Sequence, residues 1–233
     1  IFQAPSMIES GTLFMDNPPR AFSVIVALGA IFFLFRYIKK TVWVEVGILT
    51  VLLGTLIGFK VYTGIILLGS LFVLACFHVL KKRYETMGIF VASCILSAII
   101  FLPVNANSGG VFILPFERPR DFITPKALGF YDLELKWRVY LAHNNYPRLF
   151  QIGTYMTVIY LVSQFGIKLI GLIPYKKTLQ TLGLERSVFI YTGIFGSFFL
   201  GTFISQRSHV SDSFNFYLPG SLLLLIPASL TLS

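Results

Sequence analysis

Residues 42–80 read VWVEVGILTVLLGTLIGFKVYTGIILLGSLFVLACFHVL. Within this stretch the only ionisable groups are Glu45, Lys60, Tyr62, Cys76 and His78. A single α-helix of that length would rise about 58 Å, roughly twice the hydrocarbon thickness of a bilayer. Two antiparallel spans that turn at Gly58-Phe59-Lys60 fit both the length and the charge pattern. Such a pair, apolar along its whole length, belongs in lipid rather than in a water-soluble core.

The rest of the chain has the same character. Of its 233 residues 55% are hydrophobic and 12% charged, where soluble domains carry about 25% charged residues. The mean hydropathy is +0.78. Runs long enough to cross a bilayer are expected at about 21–38, 41–58, 61–80, 87–103, 149–173, 187–205 and 214–233. The fold class expected is therefore an all-α integral membrane protein, a single polytopic domain over 1–233 with about seven transmembrane helices and one long extracytoplasmic loop at 104–148. The chain opens on Ile1 and closes on Ser233 within an apolar run, as a part of a longer polypeptide would. No charged region and small-residue cleavage site precede the first apolar run, so no signal peptide is expected. Cys76 and Cys94 both fall in apolar runs, where a thiol packs as a small apolar group.

Orientation follows from the basic residues between the runs. Alternating spans place Arg36, Lys39, Lys40, Lys81, Lys82, Arg83, Lys176, Lys177 and Arg186 on one side, and Arg20, Lys60 and Arg207 on the other. The richer side is the cytoplasmic one by the positive-inside rule. Lys168 near the cytoplasmic end of its span is expected to snorkel. The net charge of +9 is thus a set of topological anchors, and no nucleic-acid partner is implied. Glu9, Asp16, Glu117, Asp121, Asp132, Glu134 and Asp212, seven of the ten acidic residues, fall outside.

The long loop has structure of its own. Asn105 to Gly110 reads as a turn-rich exit from the bilayer, and Lys126 to Ala142 as a helix lying in the interface. Tyr131, Trp137 and Tyr140 suit headgroup depth, and Glu134 with Arg138 forms a helix-favouring i, i+4 pair. Leu133, Leu135, Trp137, Val139 and Leu141 also alternate with strand period, but a lone strand there has no pairing partner. The spacings Gly54-x-x-x-Gly58, Ser93-x-x-x-Ser97 and Gly193-x-x-x-Ser197-x-x-x-Gly201 are expected to let helices approach closely.

Three groups of residues bear chemistry. Lys60, with Tyr62 behind it, is either an interfacial anchor or a cation for a lipid-linked phosphate. The segment Ser205 to Asn215 is either a solvated turn or a site in which Arg207 grips phosphate and His209 pairs with Asp212. Arg118, Arg120, Arg138 and Arg148 in the long loop either adhere to anionic headgroups or hold a lipid-linked donor. There is no phosphate-cradling Gly-rich loop, dinucleotide fingerprint or H-E-x-x-H, and His78, His143 and His209 have no metal-site spacing. No metal ligand is assigned and the cofactor is unknown, a divalent cation being left open.

Three short motifs bear a resemblance: Asn17-Pro18-Pro19-Arg20-Ala21 leading into a span, Gly58-Phe59-Lys60-Val61-Tyr62, and Gln206 with Asn215-Phe216-Tyr217 leading into the last span. In these, and in its rhythm of spans, the chain resembles bacterial members of the GT-C superfamily of membrane glycosyltransferases. The resemblance implies a sugar transferase of the bacterial plasma membrane, working outside the cytoplasm on a polyprenyl-phosphate-linked sugar among membrane lipids. It implies phosphate-binding roles for Lys60, Arg207 and Arg138 and substrate contacts for Tyr62, His209 and Asp212. The family's catalytic carboxylate usually lies in an early outer loop, which here would precede Ile1. Asp16 is the nearest alternative, but beside Asn17-Pro18-Pro19 it reads as a helix-start residue. Two other classes stay open on the residues alone. One is a transporter or flippase, with Pro219, Gly220 and Pro227 breaking the last span; the other is a non-catalytic assembly subunit.

Overall fold

Pro18 and Pro19 start the first helix, where a missing N–H costs nothing, and the computed structural model follows the chain from there. It describes residues 18–105, 111–124, 129–173, 175–206 and 214–232. Helix α1 (Pro18–Lys39) ends on Arg36 and Lys39, cations placed at the negative end of the helix dipole. Helices α2 (Trp43–Phe59) and α3 (Val61–Leu80) are separated by Lys60 alone, whose extended backbone (φ −153°) makes the reversal. The turn expected from span length is therefore made at Lys60. Helix α4 (Glu85–Asn105) then runs back beside α2 and α3.

After a short strand β1 (Val111–Ile113) come two helices outside the long apolar set, α5 (Glu117–Ile123) and α6 (Tyr131–Ala142). Helix α7 (Tyr146–Phe165) continues into a 3-10 segment (Gly166–Leu172), followed by α8 (Tyr175–Leu182) and α9 (Leu184–Phe203). Strand β2 (Ile204–Gln206) and helix α10 (Phe214–Leu232) complete the described chain.

Helix is thus the dominant structure, and each of the seven expected runs is mostly helical among the described residues, that at 187–205 passing into strand β2 at Ile204. Among the described residues, five stretches are long and apolar enough to cross a membrane: Pro18–Lys39, Val61–Leu80, Glu85–Pro103, Tyr146–Leu172 and Asn215–Leu232. Helix α2 is apolar but 17 residues long, and α9 opens with Glu185 and Arg186. The long helices are apolar on all sides. On α1, Ser23, Ala27 and Ala30 face inward while Phe22, Ile25, Leu28 and Phe32 are more than half exposed. Large apolar side chains turned outward along a helix suit a lipid surround and not water.

Small residues mark the tight contacts. The Gly54 stripe of α2 meets the Ser93 stripe of α4, with Ser97 Oγ donating to the Gly54 carbonyl at 3.0 Å and Ser93 Oγ to that of Thr50 at 3.3 Å. The Gly193 stripe of α9 meets α10, where a Cβ on Gly201 would stand 2.6 Å from the Tyr217 ring. Ser197 Oγ donates to the Phe216 carbonyl and accepts from the Gly220 N–H, the latter at 2.8 Å. Those two backbone groups would pair with each other in an unbroken α-helix. A neighbouring hydroxyl therefore satisfies α10 beside Pro219, which has no N–H to give. Lys168 donates from Nζ to Ser221 Oγ at 3.1 Å.

Strand periodicity at Leu133–Leu141 is not realised: that segment is helix α6. The observed strands lie elsewhere. β1 and β2 pair antiparallel in the register Val111↔Gln206, Phe112↔Ser205, Ile113↔Ile204. The ladder continues as Leu114 N–H to the Phe203 carbonyl at 3.0 Å and Phe116 N–H to that of Thr202 at 2.8 Å. It ties the segment after α4 to the end of α9.

Candidate functional site

The first turns of α1, α3 and α10 meet at one end of the bundle. Arg20 Nη2 donates to Asn215 Oδ1 at 2.9 Å across 195 residues of sequence. The rings of Tyr62 and Phe216 meet edge to face at 4.5 Å, and those of Phe22 and Phe59 stack at 6.2 Å. Arg20, Phe59 with Tyr62, and Asn215 with Phe216, residues of the three motifs quoted for the family resemblance, are therefore neighbours in space. Lys60 and Tyr62 are half-buried there and Asn215 is buried. The Asn215 amide at the head of the last described helix is thus bonded by Arg20 of α1.

An aromatic path leads from this corner to the segment between α4 and α7. Phe216 faces Tyr62, while the next residue, Tyr217, packs on Tyr160 of α7 at 5.0 Å. Tyr160 meets Phe122 of α5 at 5.1 Å, and both tyrosines are fully buried. Tyr217 OH and Thr202 Oγ1 are 2.9 Å apart, so the hydroxyl is satisfied inside the bundle.

Helix α5 is pinned by Phe116, which stands in the left-handed region at φ 65°. That conformation strains a bulky residue by about 1–3 kcal/mol. The ring is held between Trp137, Phe150 and Phe203 and lies over Gly153, where a Cβ would come within 2.4 Å of it. Only glycine leaves room there.

Glu134 of α6 lies in the same layer, 9% exposed. Arg138 Nε donates to its Oε1 at 2.8 Å, and Arg120 Nε stands 3.8 Å from Oε2 with its guanidinium over the Trp137 ring. The i, i+4 pair legible in sequence is present, and Arg120 is a second partner that no spacing announced. Arg138 thus reaches a phosphate only as one of two guanidiniums sharing a carboxylate. Arg118 pairs with Asp121 at 3.5 Å. Glu117 Oε2 is buried without a hydrogen-bond partner among the described residues. Arg207, His209 and Asp212, and with them Asp16, lie outside the described residues.

The opposite end holds a second polar network with no counterpart in the sequence reading. Tyr37 OH and Thr86 Oγ1 are 3.0 Å apart, and Thr86 Oγ1 lies 2.6 Å from His78 Nδ1. His78 Nε2 is 3.2 Å from Glu185 Oε2, while Arg83 and Lys81 approach Oε1 at 3.1 and 3.4 Å. Arg186 Nη2 donates to the Phe35 carbonyl at 3.0 Å, and Arg36 pairs with Glu45. Burial alone would raise the Glu185 carboxyl, but His78, Arg83 and Lys81 together hold it below its ordinary value. The arrangement latches α1, α3, α4 and α9. Only the basic run Lys81-Lys82-Arg83 was conspicuous in the sequence; His78 and Glu185 are 107 residues apart.

No cluster of three or more His, Cys, Asp or Glu residues suited to a metal occurs among the described residues. No protein-family model, curated protein or solved structure matches this chain.

Proposed function

We propose that this chain is part of a membrane glycosyltransferase that takes sugar from a polyprenyl-phosphate-linked donor on the extracytoplasmic face. The observation that carries the reading is the meeting of Arg20, Lys60–Tyr62 and Asn215–Tyr217 at one end of the bundle, the end to which β1, β2 and α5 also belong. In this reading all seven apolar runs are spans. The Lys81 end is cytoplasmic by its excess of basic residues, and the Lys60 end with the 104–148 segment is outside. A bacterial plasma membrane is the setting.

The chemistry required is simple to state. An acceptor hydroxyl attacks the anomeric carbon, the lipid phosphate leaves, and a carboxylate removes the hydroxyl proton. Negative charge grows on the phosphate oxygens, so cations fixed at headgroup depth lower the barrier. Lys60 and Arg207 are assigned that role, with Arg138 as a weaker contributor because Glu134 engages it. Tyr62, His209 and Asp212 are assigned to substrate contact, and no residue of this chain is assigned as the base. Lys60→Ala and Arg207→Ala, made in the intact protein, should each lower sugar transfer at least tenfold. Transfer at the unmodified rate in both would overturn the assignment.

Transport is the second reading, and two observations favour it. Lys168 lies within an apolar stretch, and α10 contains Pro219 and Pro227, with Ser197 bonded to the Phe216 carbonyl and Gly220 N–H beside the first of them. Against it, α10 is one continuous helix, whereas transporter sites form where helices break near the bilayer midplane. Uptake of solute or lipid by proteoliposomes holding the intact protein separates the two readings. A non-catalytic assembly subunit would show neither transfer nor uptake.

A further inference from the structure

Helices α6 and α7 diverge from Asn145 and leave a cleft of about 460 Å³ between them. Lys136 of α6 and Arg148 of α7 both line it, and no acidic residue does. Arg148 is held in place by its Nη1, which donates to Gln151 Oε1 at 2.9 Å, leaving further guanidinium donors for a ligand. Further along α7 from Arg148 the lining is mostly apolar, with Ile152, Tyr155 and Val158 beside Gln151 and Thr154. Tyr155 is 61% and Val158 53% exposed, so nothing within the described chain covers this floor.

We infer that the cleft binds one anionic glycerophospholipid of the bilayer, its phosphate between Lys136 and Arg148 and one acyl chain along Ile152, Tyr155 and Val158. The inference rests on α7 crossing the membrane, and not on sugar transfer. Geometry and charge argue for this occupant. From Arg148 to Val158 the helix rises about 15 Å, the distance from headgroup level to the bilayer centre. A ligand that fills the site must therefore be anionic at one end and apolar for the rest of its length, and must reach the cleft from the side. Two cations without a counter-carboxylate favour an anionic headgroup over a zwitterionic one. The cleft is also separate from the proposed donor corner. On α6 the cleft's cation Lys136 stands about 160° around the helix from Glu134, which turns towards Arg120.

Native mass spectrometry of the purified full-length protein tests the inference, with dioleoyl phosphatidylglycerol and dioleoyl phosphatidylcholine added in turn. Retention of the anionic lipid should exceed that of the zwitterionic one by about tenfold. Lys136→Gln combined with Arg148→Gln should abolish the difference, while Lys39→Gln combined with Lys40→Gln at the other end should keep it. Ile152→Trp, which fills the floor and keeps both charges, should also lower retention; it serves as the test if the double variant does not fold. Equal retention of the two lipids by the unmodified protein would overturn the inference, as would undiminished binding in the variants. Displacement of the phosphatidylglycerol by millimolar glycerol phosphate would show a site for free phosphate and overturn it. Displacement by an equimolar polyprenyl phosphate would assign the cleft to a prenyl donor and overturn it equally.

Discussion

Adding one methyl group at Gly54 should separate α2 from α4, and the cost can be worked from the contact. A Cβ at Gly54 would lie 2.7 Å from Leu96 Cδ2, 2.9 Å from Cγ and 2.8 Å from Cβ. The last atom is fixed to the α4 backbone, so a rotamer change cannot clear it. Raising 2.8 Å to an ordinary 3.4 Å moves the helices apart by about 0.6 Å. The same movement would stretch the Ser97 Oγ–Gly54 carbonyl bond from 3.0 Å to about 3.6 Å, beyond hydrogen-bonding range. Overpacking costs about 1–3 kcal/mol, and an interhelical hydrogen bond in lipid contributes about 0.6 kcal/mol. Gly54→Ala should therefore destabilise by roughly 2–3 kcal/mol, a drop of about 4–12 °C in melting temperature for a chain of this size. Gly47 on the same helix has nothing within 4 Å of its would-be Cβ, so Gly47→Ala should be neutral or slightly stabilising. Rescue should be graded. Leu96→Ala removes Cγ and Cδ2 but keeps the 2.8 Å Cβ contact and recovers part of the loss; Leu96→Gly removes all three contacts. Thermal and denaturant unfolding in detergent micelles measures each step. Gly54→Ala as harmless as Gly47→Ala, or no coupling to position 96, would refute the argument.

Other perturbations probe the remaining contacts. Ser197→Ala should leave the Phe216 carbonyl and Gly220 N–H without their bridging hydroxyl and cost about 1–3 kcal/mol, whereas Ser229→Ala on the exposed face should cost little; unfolding in micelles compares them. Glu185→Gln should cost about 1 kcal/mol at neutral pH, after discounting for the half-exposed Lys81 and Arg83 side chains. Because the folded protein holds Glu185 below its ordinary value, that contribution is complete above about 4.5 and is lost as pH falls through the folded value. The gap between native protein and variant should therefore close in acid, and a gap that widens there would contradict the sign. With Cys76 and Cys94 replaced by Ser, single cysteines at positions 60 and 82 should react with a membrane-impermeant maleimide from opposite faces in sealed vesicles. Labelling of both from one face would undo the orientation.

The sequence by itself determined what is decided by periodicity, length and solvent. Apolar runs with charges confined to their ends can only be helices in a lipid surround, because every backbone group in a bilayer needs a partner within the segment. The turn at Lys60 followed from helix rise and the position of the charge, and the preference of Leu133–Leu141 for helix from the lack of a partner for a lone strand. The small-residue stripes were legible as packing surfaces, but not what they pack against. That Gly54 answers Ser97, and Ser197 repairs α10 beside Pro219, depends on which helices become neighbours. Strands β1 and β2 were invisible for a related reason: three residues have no period to detect, and each exists only as the partner of the other. The same holds for chemistry. Glu134 with Arg138 could be read because four residues make one turn of helix. Arg20 with Asn215, and His78 with Glu185, could not, because a contact across a hundred residues or more leaves no local spacing and is made by tertiary structure alone.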